Sequence, residues 1–145
     1  MNFQKYQGTG NDFVIIDNRD LKLDISSSQV LIEKICSRRF GVGADGFIAV
    51  EPSEKAEFRM RYLNADGKES TLCGNGTRCV VSFAYKLGII SEEAVVETSV
   101  GLVPASIQQD EVRIKMPNPT GYRKIMEENF WVDTGSPHYV QYLAS

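Results

Sequence analysis

The sequence has 145 residues, of which 42% are hydrophobic and 24% charged, and its net charge is −3. A chain of this length can bury one sizeable core, while the lack of a basic cluster argues against a nucleic-acid-binding surface. No apolar run is long enough to cross a bilayer, no signal-peptide pattern is present, and three cysteines, an odd number, favour reduced thiols in the cytoplasm over a disulfide framework.

The first part of the chain predicts one helix between short strands. Residues 13–20 indicate a buried strand after the glycine-rich turn GTGND. Residues 26–41 predict an amphipathic helix, because serines that suit an N-cap precede an apolar stripe and Gly41 follows as a stop signal. Residues 45–52 predict a second strand. Residues 57–64 alternate apolar side chains with arginines, as in a half-buried strand.

The next part predicts a helix within a sheet. Residues 64–67, NADG, predict a turn, and residues 74–88 predict a second helix that ends at Gly88. The middle of that helix is apolar nearly all round, which indicates a helix surrounded by other structure. Further strands are predicted over 94–100, 102–107 and 111–116. We therefore expect an α+β fold with a mixed or antiparallel sheet curved around the second, central helix.

A change in composition towards the end of the chain predicts a domain boundary. Residues 117–122, PNPTGY, combine two prolines and a glycine in a linker pattern. A strand, a tight turn at 134–138 and another strand follow, which are too few residues for a core of their own. We expect a first domain over 1–117, and a linker with the first strands of an incomplete second domain over 118–145.

Cys73 stands at the predicted start of the second helix, directly before Gly-Asn-Gly. A helix N-terminus favours the thiolate form of a cysteine, through its unpaired N–H groups and the helix dipole. Gly74 and Gly76 would let the backbone approach a ligand, Asn75 adds a side-chain donor, and the N–H groups suit a carboxylate. Two interpretations are equally open on these residues alone: a reactive thiol, or a small buried side chain beside a glycine-rich cap.

The other candidates have ordinary structural explanations. Cys36 and Cys79 lie in apolar helix faces and are expected in the core, and no CxxC or Cys/His spacing predicts a zinc site. Asn11 and Asn64 suit turns. His138, the only histidine, is more often structural than catalytic in such a setting, although it could tune the charge of a nearby thiol. Composition and periodicity thus yield one candidate thiol and several polar loop residues, and no reaction.

One long motif resembles the signature of the diaminopimelate epimerase family. It runs Asn-Ala-Asp-Gly at 64–67 and Cys-Gly-Asn-Gly-Thr-Arg at 73–78, with five residues between them. The opening GTGNDFVIID and the segments 38–47 and 132–140 also resemble the family, in the expected order. The resemblance covers the whole chain and makes a reactive Cys73 the preferred interpretation.

The resemblance implies an isomerase that works without pyridoxal phosphate or any other cofactor. Members of the family interconvert LL- and meso-2,6-diaminoheptanedioate, on the route to lysine and peptidoglycan. One cysteine removes the proton from the α-carbon, and a second cysteine returns a proton to the opposite face. Because no cofactor takes up the electrons, helix N–H groups stabilise the carbanion. The implied partner is this small amino acid, and full-length members tend to form homodimers.

The resemblance also assigns roles to individual residues. Cys73 is one of the two catalytic cysteines, and His138 modulates them. Substrate contacts are assigned to a set of small and polar residues: Asn11, Gly46, Asn64, Gly74, Asn75 and Ser136. Two members of this set depart from the family pattern, since Gly46 stands where many relatives carry an amide side chain and Ser136 where they often carry asparagine.

The largest departure concerns the second catalytic cysteine. Family members have two similar halves, and the second cysteine lies in the second half, whereas no cysteine occurs between Val80 and Ser145. We expect these residues to be the first half with the first strands of the second, unable to epimerise alone. Two alternatives are an isomerase of the phenazine-biosynthesis-like group, which shares the fold without the cysteine pair, and a non-catalytic ligand-binding module.

Overall fold

The computed structural model describes residues 2–109 and 111–143 and divides into two units, Met1–Lys115 and Met116–Ser145. Among the described residues, the first unit holds both α-helices and seven strands, and the second unit holds three strands. Neither of these α-helices is long and apolar enough to span a membrane.

A seven-stranded sheet forms the body of the first unit. Its strands lie in the sheet in chain order: β1 (Gln4–Gly8), β2 (Asn11–Asp17), β3 (Gly46–Glu51), β4 (Phe58–Asn64), β5 (Glu93–Thr98), β6 (Gly101–Gln108) and β7 (Glu111–Ile114). Neighbouring strands are antiparallel except at β2–β3 and β4–β5, which are parallel. A parallel connection needs a long crossover, and these two crossovers contain α1 (Gln29–Cys36) and α2 (Gly74–Lys86).

The two helices pack on opposite faces of the sheet, so β2 and β3 are buried on both sides. Phe13 and Ile15 of β2 belong to the core around α2, whereas Val14 and Ile16 belong to the core around α1. The same alternation continues along β3. Strands covered on both faces have continuous apolar sequences, which explains why both segments contain uninterrupted apolar runs.

Helix α2 is the central element of the first unit. It contacts β1, β2, β3, β4, β6 and β7, so the sheet curves around it. Val80, Val81 and Ala84 are fully buried, and the helix ends shortly before Gly88, whose φ of +67° suits glycine. The predicted α+β fold, with a sheet curved around a central helix, is confirmed.

Two features of the first unit correct the sequence-based expectation. Strand β1 was not predicted, because it has a single aromatic residue among polar ones, and it forms through antiparallel pairing with β2. Helix α1 ends at Cys36 and not at Gly41. Its last carbonyl groups, at Ile35 and Cys36, accept hydrogen bonds from the amides of Gly43 and Ala44, both at 3.0 Å, so the returning loop replaces the next helical turn.

The second unit is an antiparallel sheet of β8 (Thr120–Met126), β9 (Asn129–Asp133) and β10 (Pro137–Gln141), in the order β10–β9–β8. Strand β8 begins inside the predicted linker 117–122. Gly121 lies where the register of the pairing between β8 and β9 shifts. Its φ is +64°, and a Cβ there would lie 2.5 Å from Cζ3 of Trp131, so the position suits glycine. The predicted turn at 134–138 is shorter than expected, since Pro137 already pairs with Asp133.

Candidate active site

Cys73 stands directly before α2, with an extended backbone (φ −112°, ψ 106°). Its sulfur accepts a hydrogen bond from the Gly76 amide at 3.4 Å, as the side-chain oxygen of an N-cap residue would. Its carbonyl group accepts from the amide and the hydroxyl of Thr77, at 2.8 and 2.9 Å. The thiol is half-buried, so it is held in position and still reachable from solvent.

A reversal of the chain after β4 brings Cys73 alongside that strand. The Gly67 amide donates to the Asn64 carbonyl group at 2.9 Å, which closes the predicted turn. The φ of Gly67 is +72°, and a Cβ there would lie 2.3 Å from the carbonyl oxygen of the first residue of α1, so only glycine fits. The Ser70 amide then donates to the Tyr62 carbonyl group at 3.0 Å, so the chain runs back along β4 to α2.

Asn11 reaches Cys73 from the β1–β2 hairpin. The thiol donates to Asn11 Oδ1 at 3.7 Å, and Asn11 Nδ2 donates to Asp45 Oδ2 at 3.0 Å. Because Asp45 takes the amide's donor, the amide oxygen faces the sulfur. Gly8 permits this approach of the hairpin to α2, since a Cβ there would lie 3.3 Å from the carbonyl oxygen of Asn75.

Two cations hold the carboxylates behind Asn11. Arg38 donates to Asp12 Oδ1 at 2.8 Å and to Asp45 Oδ1 at 2.7 Å. Lys5 donates to Asp12 Oδ2 at 2.8 Å. The hydrogen bond from Arg38 holds the pKa of Asp12 well below its usual range. The hydrogen bond from Asn11 lowers the pKa of Asp45, so Asp45 is ionised at neutral pH and remains an acceptor for the amide.

Tyr62 is a residue of this site that sequence reasoning did not single out. Its hydroxyl donates to Asn64 Oδ1 at 2.9 Å. Burial raises the pKa of Tyr62 to about 12, so the phenol keeps its proton. The sequence did hold a signal for it: Tyr62 lies two residues before Asn64 on β4, and residues two apart on a strand share a face.

Gly46 lies next to this tyrosine. It is buried and pairs with Asn64 across β3 and β4. A Cβ at position 46 would lie 2.7 Å from Tyr62 Cε2 and 2.9 Å from the carbonyl oxygen of Leu63. The Tyr62 ring therefore fills the space that a side chain at position 46 would need.

The first turn of α2 offers backbone donors beside the thiol. The first amide groups of a helix have no acceptor within it, and α2 begins with Gly74 and Asn75. Arg78 donates to Asn75 Oδ1 and so holds that side chain along the helix. A helix start of this kind suits a carboxylate, which would then lie close to Cys73.

Cys36 and Cys79 are both in the core, as predicted, with exposures of 3% and 5%. Burial raises the pKa of each thiol to about 11. Both therefore stay protonated at neutral pH, and Cys73 is the one half-exposed thiol of the three.

Ser136 and His138 belong to the second unit. Ser136 lies in the turn between β9 and β10, where its carbonyl group accepts from the Thr134 amide at 3.1 Å. His138 is exposed on β10 and pairs with Val132. Asn11, Asn64, Gly46, Gly74 and Asn75 all lie in the first unit with Cys73. The roles expected of these residues, and those of Ser136 and His138, stay predictions.

The site lies within a segment that matches one protein family. The family model described as Diaminopimelate epimerase matches residues 3–121, which include Cys73 and the polar groups around it. The chain belongs to the diaminopimelate epimerase family. The family expected from the Cys-Gly-Asn-Gly motif is thus confirmed.

Curated diaminopimelate epimerases are similar to nearly all of this chain. The enzyme of Flavobacterium psychrophilum is 45% identical over 143 residues, which cover 98% of this chain and 55% of the relative. That of Chlorobaculum tepidum is 43% identical over 143 residues, which cover 94% of this chain and 55% of the relative. The chain spans about half the length of the curated relatives that it matches.

Solved structures outside this family share the fold. A phenazine biosynthesis protein of the PhzF family from Bacillus anthracis has a TM-score of 0.68 at 20% identity, covering 94% of this chain and 52% of its own. A hydroxyproline epimerase from Agrobacterium vitis has a TM-score of 0.67 at 14% identity, covering 96% and 50%. At these identities the likeness concerns the fold alone, and the matching family model remains that of diaminopimelate epimerase.

In this member of the diaminopimelate epimerase family, three kinds of group meet at one place: a half-exposed thiol, oriented amide side chains and backbone donors. A thiolate can act as a base, and N–H groups aimed at a developing negative charge stabilise it. Such a site can remove a proton from a carbon next to a carboxylate. In residues 2–109 and 111–143, no group of three or more His, Cys, Asp or Glu side chains could hold a metal ion.

Proposed function

We propose that this chain takes part in the cofactor-independent epimerisation of LL-2,6-diaminoheptanedioate to the meso form, a step towards lysine and peptidoglycan. The observation that carries the proposal is the half-buried Cys73 thiol at the start of α2, with the Gly76 amide and Asn11 bonded to its sulfur. The names of the curated relatives support the choice of substrate.

The reaction needs a base for a weakly acidic C–H bond. The Cys73 thiolate takes the proton from the α-carbon and becomes a thiol, while the electron pair stays on the substrate beside its carboxylate. The amides of Gly74 and Asn75 donate to that carboxylate, whose negative charge grows in the transition state. Asn11 and Asn64 contact the rest of the substrate.

The roles of the remaining assigned residues rest on the family resemblance. Gly46 supplies backbone only at its position, since Tyr62 occupies the neighbouring space. Ser136 contacts the substrate with its short hydroxyl side chain, in place of the asparagine found in many relatives. His138 modulates the charge of the thiols.

Inversion requires a second thiol on the opposite face of the substrate. That thiol gives its proton to the carbanion as Cys73 keeps the proton it has removed. Cys36 and Cys79 are buried, so neither can serve. We infer that the second thiol lies outside these 145 residues. In this proposal residues 1–117 form the first half of the polypeptide, and residues 118–145 begin its second half. The full protein would be a cytoplasmic homodimer.

Solvent deuterium gives the first test. The chain is incubated with LL-diaminopimelate in heavy water, and deuterium at the α-carbon and the meso product are followed by mass spectrometry and chiral chromatography. We expect deuterium in recovered LL substrate without meso product, because a single thiol exchanges the proton on one face only.

Two cysteine variants assign the exchange. Cys73→Ala should abolish deuterium incorporation, whereas Cys36→Ala, which removes a buried thiol on the other face of the sheet, should retain it. Exchange that persists in Cys73→Ala would contradict the role of this thiol. Meso product from the unaltered chain alone would contradict the need for a thiol from elsewhere.

A further inference from the structure

Two hydrogen bonds to the Cys73 sulfur act in opposite directions. The Gly76 amide donates to the sulfur at 3.4 Å, and a donor favours the thiolate. The thiol itself donates its hydrogen to Asn11 Oδ1 at 3.7 Å. An acceptor oxygen favours the protonated thiol, because a thiolate has no hydrogen to donate and its charge is repelled by the partial charge of the oxygen. The protonation of Cys73 therefore depends on which end of the Asn11 amide faces it.

The side chain of Asp45 decides which end that is. Asp45 Oδ2 accepts a hydrogen bond from Asn11 Nδ2 at 3.0 Å. An ionised carboxylate only accepts hydrogen bonds, so the NH2 end of the amide must face Asp45, and the oxygen is left to face the sulfur. Without Asp45, the amide is free to turn about its last side-chain bond and present its NH2 end to Cys73.

Asp45 is itself fixed by several hydrogen bonds. Its Oδ2 also accepts from the backbone amide of Asp12 at 3.1 Å, and its Oδ1 accepts from Arg38 at 2.7 Å. Its own amide donates to the carbonyl oxygen and to Oδ1 of Asp12, both at 3.0 Å. The carboxylate therefore cannot swing away from Asn11 without breaking contacts between the start of β2 and the chain before β3.

We propose that Asp45 is a positioning residue that holds the Asn11 amide oxygen towards Cys73 and thereby favours the protonated thiol. A group that both takes and gives a proton works best when neither form is strongly preferred. The start of a helix favours the thiolate, and the Asn11 oxygen opposes that preference. The second hydrogen of Asn11 Nδ2 stays available for the substrate. The proposal rests on the proposed function only in taking Cys73 as the group that exchanges the proton.

The other charged and titratable side chains around the site have partners of their own or are buried. They are Lys5 on β1, Asp12 on β2, Arg38 before β3, Tyr62 on β4, and Arg78 and Cys79 on α2. The three charged groups behind Asn11 pair with one another, Tyr62 and Arg78 donate to asparagine side chains, and Cys79 is buried. The charge of Asp45 is a competing influence, since loss of a nearby negative charge also favours a thiolate.

Alkylation of Cys73 measures how readily the thiol loses its proton. The unaltered chain and each variant are treated with iodoacetamide between about pH 5 and pH 10, and the modification of each cysteine is followed by peptide mass spectrometry. The readout is the pH at which the rate reaches half its plateau, because the plateau itself also varies with intrinsic nucleophilicity. Cys36 and Cys79 are buried, so their low reactivity shows that a variant is folded.

Asp45→Ala should lower this half-rate pH by about one unit, which is about tenfold more thiolate at a given pH. The released amide turns its NH2 group to the sulfur, and a hydrogen bond to a charged acceptor has about that strength. Asn11→Ala should lower it by only a few tenths of a unit, since a weak thiol hydrogen bond is lost and no new donor arrives. The matched control is Asp17→Ala, which removes a carboxylate of the same strand that pairs with Arg19 and should change nothing.

A double variant separates the orientation of the amide from the charge of the carboxylate. In an Asn11→Ala background, Asp45→Ala should cause no further change, because Asp45 acts through the amide, whereas a charge effect would persist. Asp45→Asn should stay close to the unaltered chain, since its oxygen can face the two donors that Asp45 Oδ2 binds, Asn11 Nδ2 and the Asp12 amide.

Three results would overturn the proposal: an unchanged half-rate pH in a folded Asp45→Ala, additive effects in the double variant, or a fall of about one unit in Asp45→Asn. If Asp45→Ala does not fold, Asp45→Asn and Asn11→Ala still decide, because a rise in Asn11→Ala would contradict an oxygen that favours the thiol. None of these measurements uses diaminopimelate, so a failure of deuterium exchange would leave them interpretable by themselves.

Discussion

Cys73 differs from the other two cysteines in its surroundings. Cys36 and Cys79 are enclosed by apolar side chains, which raises the pKa of both to about 11. Cys73 lies at a helix start, where an amide N–H and the Asn11 side chain bond to its sulfur. The same functional group therefore fills the core at two positions and is a candidate base at the third.

Gly46 gives a prediction at the scale of the residue. In Gly46→Ala the new methyl would lie 2.9 Å from the backbone oxygen of Leu63 and 2.7 Å from the Tyr62 ring. The backbone oxygen cannot retreat without disturbing the pairing of β3 and β4. We expect the free energy of unfolding to fall by about 2 kcal/mol, measured by urea unfolding.

A second substitution separates the two close contacts. Adding Tyr62→Leu to Gly46→Ala removes the ring and should lessen the penalty of the alanine, while the contact with the Leu63 oxygen persists. The penalty is measured against Tyr62→Leu alone. An unchanged unfolding midpoint in Gly46→Ala would contradict the close packing at this position.

The β1–β2 hairpin is the element that delivers Asn11 to the site. Its two turn residues, Thr9 and Gly10, have φ values of 53° and 84°, and Gly8 pairs with Asn11 on either side of them. Two-residue turns of this kind match the twist of the strands. Glycine adopts a positive φ readily, whereas a positive φ strains a β-branched residue such as Thr9.

The strain at Thr9 predicts a stabilising substitution. Thr9→Asn should raise the free energy of unfolding by about 0.5–1 kcal/mol, because asparagine adopts a positive φ more readily. The control is Thr9→Val, which keeps the β-branch and loses the hydrogen bond from Thr9 Oγ1 to the Gly8 carbonyl oxygen, so it should be no more stable than the original. Thermal unfolding measures both, and a less stable Thr9→Asn would contradict the argument.

At the scale of the molecule, a network of charges ties the hairpin to the chain between α1 and β3. Lys5 and Asp12 lie on the hairpin, and Arg38 and Asp45 lie on the connection. The ion pairs span 2.7–2.8 Å. Because Asp45 also binds Asn11, this network holds the acceptor of the Cys73 thiol in place.

The network predicts how stability depends on pH. The pKa values of Asp12 and Asp45 in the folded protein lie below the usual 3.8. Both carboxylates therefore stabilise the fold above about pH 4, and this contribution is lost as the pH falls below that value towards their lowered pKa values. We expect urea unfolding midpoints to fall in this acid range.

Asp12→Asn isolates the network's share of that dependence. The variant should lose about 1 kcal/mol at neutral pH, and its stability should vary less with pH below about pH 4. Asp20→Asn, which removes an exposed carboxylate paired with Lys22, is the matched control and should change little. Equal acid dependence in the original chain and in Asp12→Asn would contradict the role of the network.

Several elements could be predicted because their signals are local. The turn at 64–67 follows from Asn, Asp and Gly within four residues, and α2 follows from its glycine-rich start and apolar middle. Strand β1 lacks such a signal and exists through its partner β2. The end of α1 depends on amides at Gly43 and Ala44 that return from a loop, which no pattern within the helix reveals.

The sequence by itself determined which thiol is the candidate, where its helix begins and to which family the chain belongs, because residue types and short spacings carry that information. Only the tertiary structure decided what surrounds the thiol. Asn11 is 62 residues from Cys73 in the chain, and Asp45 and Tyr62 reach the site from other strands and connections. Contacts of this kind depend on the path of the whole backbone, since a side chain's neighbours across a sheet are set by strand order and register.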